Sequence, residues 1–201
     1  MRYGMVIDLK RCIGCYGCQI FCKAENATPP GILWSRVLFY ESGHYPNVKK
    51  MRIPLLCMHC KEPACVDVCP TGASTRRPDG IVTVDSTKCL GCKSCVIACP
   101  YGARFFYSEE KEYFPGQRLT PYERVGYQRH RTGVVEKCDF CLSRIQQGLE
   151  PACVVSCMAK ARYFGDLDDP NSQVSQLIRN YNGFQMHPEL GTDPSVYYLP
   201  P

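Results

Sequence analysis

The placement of 16 cysteines constrains this chain more than any other feature, because they fall into four sets of four with none left over. The sets are Cys12, Cys15, Cys18 and Cys22; Cys57, Cys60, Cys65 and Cys69; Cys89, Cys92, Cys95 and Cys99; and Cys138, Cys141, Cys153 and Cys157. Sets one and three read C-x2-C-x2-C-x3-C. Set two widens the middle gap to four residues and set four widens it to eleven. The pattern is an internal repeat, so whatever one set does, the chain does four times.

Cysteine at about 8% of a chain is a level reached by disulfide scaffolds, zinc proteins and iron-sulfur proteins. Disulfides fail on geometry, since neighbouring cysteines on one tight loop or helix cannot all reach bridging distance with separate partners. Zinc is usually held by two separated C-x2-C pairs, which leaves a third cysteine at the same short interval redundant. Three cysteines at two-residue intervals followed by a fourth at C-P are instead the ferredoxin run, in which the fourth thiolate serves the other cluster of a pair. The cofactors expected are therefore four 4Fe-4S clusters. The C-x3-C-x2-C spacing of radical chemistry occurs nowhere, so no cluster is read as a catalyst in itself.

In every set the last two cysteines are four apart, which places them one turn from each other on a short helix. Pro70 and Pro100 directly follow Cys69 and Cys99, where proline stops or redirects a helix. Strand-like pieces, Gly4 to Asp8 and Ile81 to Asp85, are expected to frame the sites. The fold class expected is α+β.

The formal net charge is +5 with all thiols neutral, a value that by itself suggests an acidic partner. Four oxidised clusters, each bringing about two net negative charges with its thiolates, reverse that sign, so nucleic acid is excluded as a partner and the basic residues read as compensation. Lys10, Arg11, Lys88, Lys93, Lys137, Arg144, Lys160 and Arg162 lie around the cysteine sets, and ordinary surface charge explains about half of them. No run of about 18 apolar residues exists, so no transmembrane segment of its own is expected. Residues 1–10 lead straight into the first set and leave no room for a signal peptide.

Around the cysteines stand Ile7-Asp8, Cys12-Ile13-Gly14-Cys15, Cys57-Met58-His59-Cys60, Pro63-Ala64-Cys65, Cys69-Pro70-Thr71-Gly72-Ala73 and Cys99-Pro100-Tyr101-Gly102. Further along come Lys137-Cys138-Asp139-Phe140-Cys141, Pro151-Ala152-Cys153 and Gly165-Asp166-Leu167-Asp168-Asp169-Pro170. With these motifs almost the whole chain resembles the four-cluster iron-sulfur subunits of the dimethyl sulfoxide reductase family of molybdenum or tungsten bis-pterin enzymes. The look is nearest to subunits of respiratory arsenate, polysulfide, thiosulfate and tetrathionate reductases. Some of those relatives replace a ligand in the third set, whereas Cys92 is intact here.

The resemblance implies two ferredoxin-like modules with nested connectivity. Residues 57–100 form the inner module, residues 1–56 and 137–165 the outer one, residues 101–136 an insertion offering a docking surface, and residues 166–201 a tail for subunit contact. With fourth cysteines exchanged inside each module, site A is Cys12, Cys15, Cys18 and Cys157, and site B is Cys57, Cys60, Cys65 and Cys99. Site C is Cys89, Cys92, Cys95 and Cys69, and site D is Cys138, Cys141, Cys153 and Cys22. No residue is read as catalytic.

The resemblance further implies electron conduction between a molybdopterin-containing catalytic subunit and a quinol-oxidising membrane anchor or cytochrome. It implies co-export with a signal-bearing partner to the periplasmic side of the membrane, with the cytoplasm as the alternative. The rival function is a free-standing polyferredoxin shuttle. His59, between two ligands, and Lys137, beside one, are read as cofactor-tuning residues. His44, His130 and His187 have no ligand spacing, and Trp34 is read as a core or interface aromatic. In the tail, Asp169-Pro170 reads as a helix N-cap followed by Val174, Leu177, Ile178 and Tyr181 at helical spacing, and residues 186–201 as extended against another surface.

Overall fold

Met5, Val6 and Ile7 are three consecutive apolar residues, a pattern that suits a strand covered on both faces, and all three are completely buried. The computed structural model describes residues 1–201 and builds the chain around that strand. In order come β1 (Tyr3–Asp8), α1 (Gly17–Asn26), a long hairpin of β2 (Arg36–His44) and β3 (Asn47–Leu55), then α2 (Ala64–Asp67), β4 (Ser74–Arg76), β5 (Val82–Val84) and α3 (Ser94–Ile97). They are followed by β6 (Phe105–Tyr107), α4 (Pro121–Gly126), β7 (Val134–Glu136), α5 (Leu142–Ile145), α6 (Ala152–Val155) and β8 (Arg162–Asp166). The chain continues through α7 (Gln173–Asn180), β9 (Phe184–Gln185) and β10 (Val196–Leu199). Helices and strands are thus mixed, and no helix is long and apolar enough to cross a membrane.

The central sheet runs β8-β1-β10-β9. β8 pairs antiparallel with β1 and joins the strand before the first cysteine set to the strand after the fourth. On the other edge β10 lies parallel to β1, from Met5↔Val196 to Asp8↔Leu199. Read from sequence, residues 166–201 are a tail for another subunit; in the structure Val196 and Tyr198 are fully buried in the chain's own core. The helix of that segment starts later than Asp169-Pro170, since Ser172 is the N-cap and accepts from the Ser175 amide. Asp169 instead forms a local turn by accepting from the Asn171 amide at 2.8 Å. Val174 of α7 packs against Val6 and Leu199, as the helical spacing predicts, whereas Tyr181 caps the helix in an exposed position.

Three two-stranded ladders complete the sheet structure: β2-β3, β4-β5 and β6-β7. The helix pairs α1 with α6 and α2 with α3 touch. One apolar core, including Met5, Ile7, Leu56, Met58, Ile81, Phe140 and Tyr198, runs between the cysteine sets. α1 alone continues through both its third and fourth cysteines, Cys18 and Cys22. α2, α3 and α6 end before Cys69, Cys99 and Cys157, so those fourth cysteines lie just past a one-turn helix rather than on it. Proline after Cys69 and Cys99 accounts for two of the three stops.

Residues 101–136 fold back over α1. A helix C-terminus leaves carbonyls without intrahelical donors, and the insertion supplies them. Tyr122 Oη donates to the Ala24 carbonyl at 2.7 Å, Arg129 to that of Glu25 at 3.1 Å, and His130 Nε2 to that of Asn26 at 2.8 Å. α4 is itself pinned by a capping box between Thr120 and Glu123, with Pro121 at its first position. Part of the segment proposed from sequence for docking therefore covers this chain's own first helix, while Phe114, Tyr122 and Val125 in it stay exposed.

Candidate metal centres

Each C-x2-C loop turns through a residue in the left-handed backbone region just before its second cysteine. These are Gly14 (φ 71°), His59 (φ 44°), Gly91 (φ 69°) and Phe140 (φ 59°). Left-handed backbone is accessible to glycine and costs about 1 kcal/mol or more in other residues. At Gly91 the need is steric as well, since a Cβ there would meet the Gly133 carbonyl oxygen at 2.1 Å. The two non-glycine residues meet: the His59 and Phe140 rings stack with centroids 3.7 Å apart, and both are fully buried. His59 Nδ1 accepts from the Val82 amide at 3.0 Å, which assigns the ring proton to Nε2.

These loops bring sulfurs from different sets together. Cys12, Cys15, Cys18 and Cys157 line one cavity. Cys69, Cys89, Cys92 and Cys95 line another. Asn26 Nδ2 lies 3.6 Å from Cys22 Sγ and 3.9 Å from Cys141 Sγ, and Cys22 also faces Cys153. Cys60 faces Cys57, Cys65 and Cys99. Cys138 faces Cys22, Cys141 and Cys153 as well, so each of the four groups joins three sulfurs of one set to one of another.

Backbone amides point at several of the sulfurs: Ala161 at Cys157 (3.2 Å), Ser74 at Cys69 (3.4 Å), Phe140 at Cys138 (3.4 Å) and Val135 at Cys89 (3.5 Å). Burial and the neighbouring sulfurs push the Cys60 thiol up to about 12 and, with relief from the Ala152 amide, the Cys141 thiol up to about 11. At Cys69 burial also opposes ionisation, but amide and hydroxyl donors from Ser74, Thr71 and Ala73 outweigh it and bring the thiol down to about 7. Thiols crowded this closely resist ionising together unless a cation joins them, which is what iron supplies.

Arg104, Lys137 and Arg162 are each at most 4% exposed, and none has a carboxylate within salt-bridge distance. Lys137 donates to the carbonyls of Val82 and Cys138. Buried cations without anions are costly; the groups facing Arg104 are cysteines, and those facing Arg162 are cysteines and Tyr198. A donor set of four thiols beside unpaired buried cations fits a thiolate-ligated, net-negative iron-sulfur cluster.

Residues 48–115 and 108–167 each match the 4Fe-4S dicluster domain family, and residues 9–25 match a 4Fe-4S binding domain. The chain belongs to the 4Fe-4S dicluster family. It is 42% identical to a selenate reductase subunit of Mesobacillus selenatarsenatis, over 99% of this chain and 72% of that protein. It is 41% identical to the arsenate respiratory reductase iron-sulfur subunit of Shewanella sp. strain ANA-3, over 99% of this chain and 96% of the relative. Identity to a tetrathionate reductase subunit of Salmonella typhimurium is 41%, over 98% and 72% of the two chains. The resemblance to iron-sulfur subunits of the dimethyl sulfoxide reductase family therefore holds over nearly the full length, and the dicluster protein is an electron-transfer subunit that carries 4Fe-4S clusters.

Sequence reasoning passed over Arg104, Asn26 and the loop at Thr192, whose hydroxyl lies 2.7 Å from Tyr101 Oη and also reaches Cys60. Asn26 and Thr192 carry no local motif. Arg104 has one, an offset from its cysteine set that Arg162 repeats.

Proposed function

We propose that this dicluster subunit holds its four clusters at sites A to D as lettered above, in two nested ferredoxin-like modules. The observation that carries this reading is the mixing of sets around each group of sulfurs, with Cys157 beside the first set, Cys22 beside the fourth, Cys99 beside the second and Cys69 beside the third. The contacts α1 to α6 and α2 to α3 support the nesting. A 4Fe-4S cluster supplies one-electron transfer, with no substrate bond made or broken.

The chain's own residues order the sites. Arg104 faces cysteines of sites B and C, Arg162 faces those of sites A and D, and the His59-Phe140 stack joins the loops of B and D. The series C, B, D, A follows. Its terminal sites contain the two exposed cysteines, Cys92 and Cys15. Each exposed cysteine has exposed apolar neighbours: Leu90 and Ile97 near Cys92, and Ile13, Tyr16 and Ile20 near Cys15. Two open ends suit a subunit that conducts between two partners, here a molybdopterin-containing catalytic subunit at one end and a quinol-oxidising membrane anchor or cytochrome at the other. The names of the relatives place such reductases in arsenate, selenate and tetrathionate reduction. The location proposed is the periplasmic side of the membrane, reached beside a signal-bearing partner.

Anaerobically purified protein should contain about 16 iron and about 16 sulfide atoms per chain, four of each for every cube. A metal analysis dominated by zinc would overturn the cluster assignment. A chain that purifies full of iron, monodisperse and without partners from its native cells would instead leave the polyferredoxin shuttle standing.

A further inference from the structure

Two buried arginines stand at the same offset from two different cysteine sets. Arg104 follows Cys99 by five residues and Arg162 follows Cys157 by five, and each is preceded by alanine, Ala103 and Ala161. Arg104 directly precedes β6 and Arg162 opens β8, and both are nearly inaccessible, at 3% and 4% exposure.

Their surroundings match. Arg104 Nη1 donates to Ser74 Oγ at 2.7 Å, while its Nε and Nη2 are buried with no nitrogen or oxygen partner. The remaining face of that guanidinium is turned to Cys65, Cys95 and Cys57. Arg162 Nη2 donates to Ser35 Oγ at 3.2 Å and Nη1 lies 3.8 Å from Met5 Sδ. It borders the cavity of Cys12, Cys15, Cys18 and Cys157 and also faces Cys153. Each arginine therefore meets sulfurs of both sites in its module, B and C for Arg104, A and D for Arg162.

We propose that Arg104 and Arg162 are paired positioning residues, each a single cation shared by the two clusters of its module and holding both at raised reduction potential. The inference rests on the site assignment proposed above. A guanidinium suits the task because it is permanently charged and its planar fork offers five donors. One edge binds the serine hydroxyl while the rest faces two sulfur sets at once. Reduction adds negative charge to a cluster, and a fixed buried cation beside it stabilises the reduced state more than the oxidised one, which raises its potential. Because the cation is shared, the effect comes in pairs. The repeat thus carries a charge as well as its ligands, and the two modules are tuned independently.

The test is a redox titration of the cluster-loaded chain, followed by electron paramagnetic resonance, on Arg104→Gln, Arg104→Lys, Arg162→Gln and Arg162→Lys, with iron and sulfide measured on each. Arg104→Gln should lower two of the four midpoint potentials and leave the other two in place. Arg162→Gln should lower the complementary two, and each lysine variant should move its pair back toward the native values. Full iron content with unshifted potentials overturns the proposal, as does a shift confined to one cluster or spread over all four. Should a glutamine variant lose iron while its lysine variant keeps iron and near-native potentials, the charge is the property required and the proposal stands. Equal loss of iron in both variants makes the arginine a packing element and overturns it. An iron shortfall in the unsubstituted chain indicts the four-cluster reading itself, not the arginines.

Discussion

Cys22 and Cys141 belong to different cysteine sets, yet the side-chain amide of Asn26 lies within 4 Å of both sulfurs. The proposed ligand exchange rests on this contact at the residue scale, and the contact arises because α1 runs on through Cys22 toward the fourth set instead of stopping after Cys18. Cys22→Ser should therefore behave like Cys141→Ser and unlike Cys15→Ser. The expected result is loss or conversion of one cluster, about a quarter of the iron, with the same paramagnetic signal altered in the Cys22 and Cys141 variants. A Cys22 spectrum that matches the Cys15 variant means the four sets are independent sites. The reach of Cys22 toward the fourth set was legible in the sequence, since the spacing of four residues places the fourth sulfur a turn beyond the third. What spacing does not carry is the second layer: that His59 and Phe140, each forced into left-handed backbone, occupy equivalent loop positions and stack on one another.

At the scale of elements, α1 depends on donors from a segment a hundred residues away. His130 contributes most deeply, with Nδ1 on the Glu136 carboxylate at 2.8 Å and Nε2 on the Asn26 carbonyl. Burial lowers the affinity of this imidazole for its proton, but the hydrogen bond and charge of Glu136 and the Asn26 carbonyl outweigh burial and hold its pKa above the usual histidine value. A raised folded-state pKa gives stability that is fully present below the unfolded value and is lost as pH rises through the folded one. His130→Ala should accordingly hasten cluster bleaching in denaturant, with a cost on the order of 1–3 kcal/mol at acidic pH. The gap between native and variant proteins should narrow as pH is raised. A gap that stays constant with pH shows that His130 acts by packing alone, against Trp34, Tyr107 and Tyr127. The strands at Tyr3–Asp8 and Val82–Val84 and the one-turn helices at the third cysteines follow from local pattern, and they were legible. The capping of α1 by the insertion and the seat of β10 beside β1 were not, because local periodicity says that Val196–Leu199 is extended without naming the strand it joins. The projecting hairpin β2-β3 escaped for a related reason: Leu38, Phe39, Tyr40 and Val48 are exposed along it, so no burial alternation marks the pairing.

At the scale of the whole molecule, the proposed series of sites places its two exposed cysteines at its two ends. Cys15 and Cys92 are the exposed cysteines of sites A and C, whereas no cysteine of the middle sites B and D is exposed. The apolar neighbours of the open ends are strongly exposed, with Ile97 at 86%, Leu90 at 75% and Ile13 at 58%. Isolated exposed apolar residues are ordinary, but an apolar collar around a redox centre gives a partner a dry contact at the point where electrons cross. A charge placed in one collar should therefore disable one partner and spare the other. Leu90→Glu with Ile97→Glu should weaken binding at the site C end, and Ile13→Glu with Ile20→Glu at the site A end. In each case electron exchange with the affected partner should fall by roughly tenfold or more, the size expected when a central apolar contact of an interface is lost. Iron content should hold, since none of the four residues is a cysteine and each is more than half exposed. The measurement is co-purification of the intact complex together with the rate at which each partner reduces or reoxidises the clusters. If both double variants lose the same partner, the two ends do not face different subunits. If neither loses any, electrons enter and leave elsewhere, and the β2-β3 hairpin becomes the surface to examine.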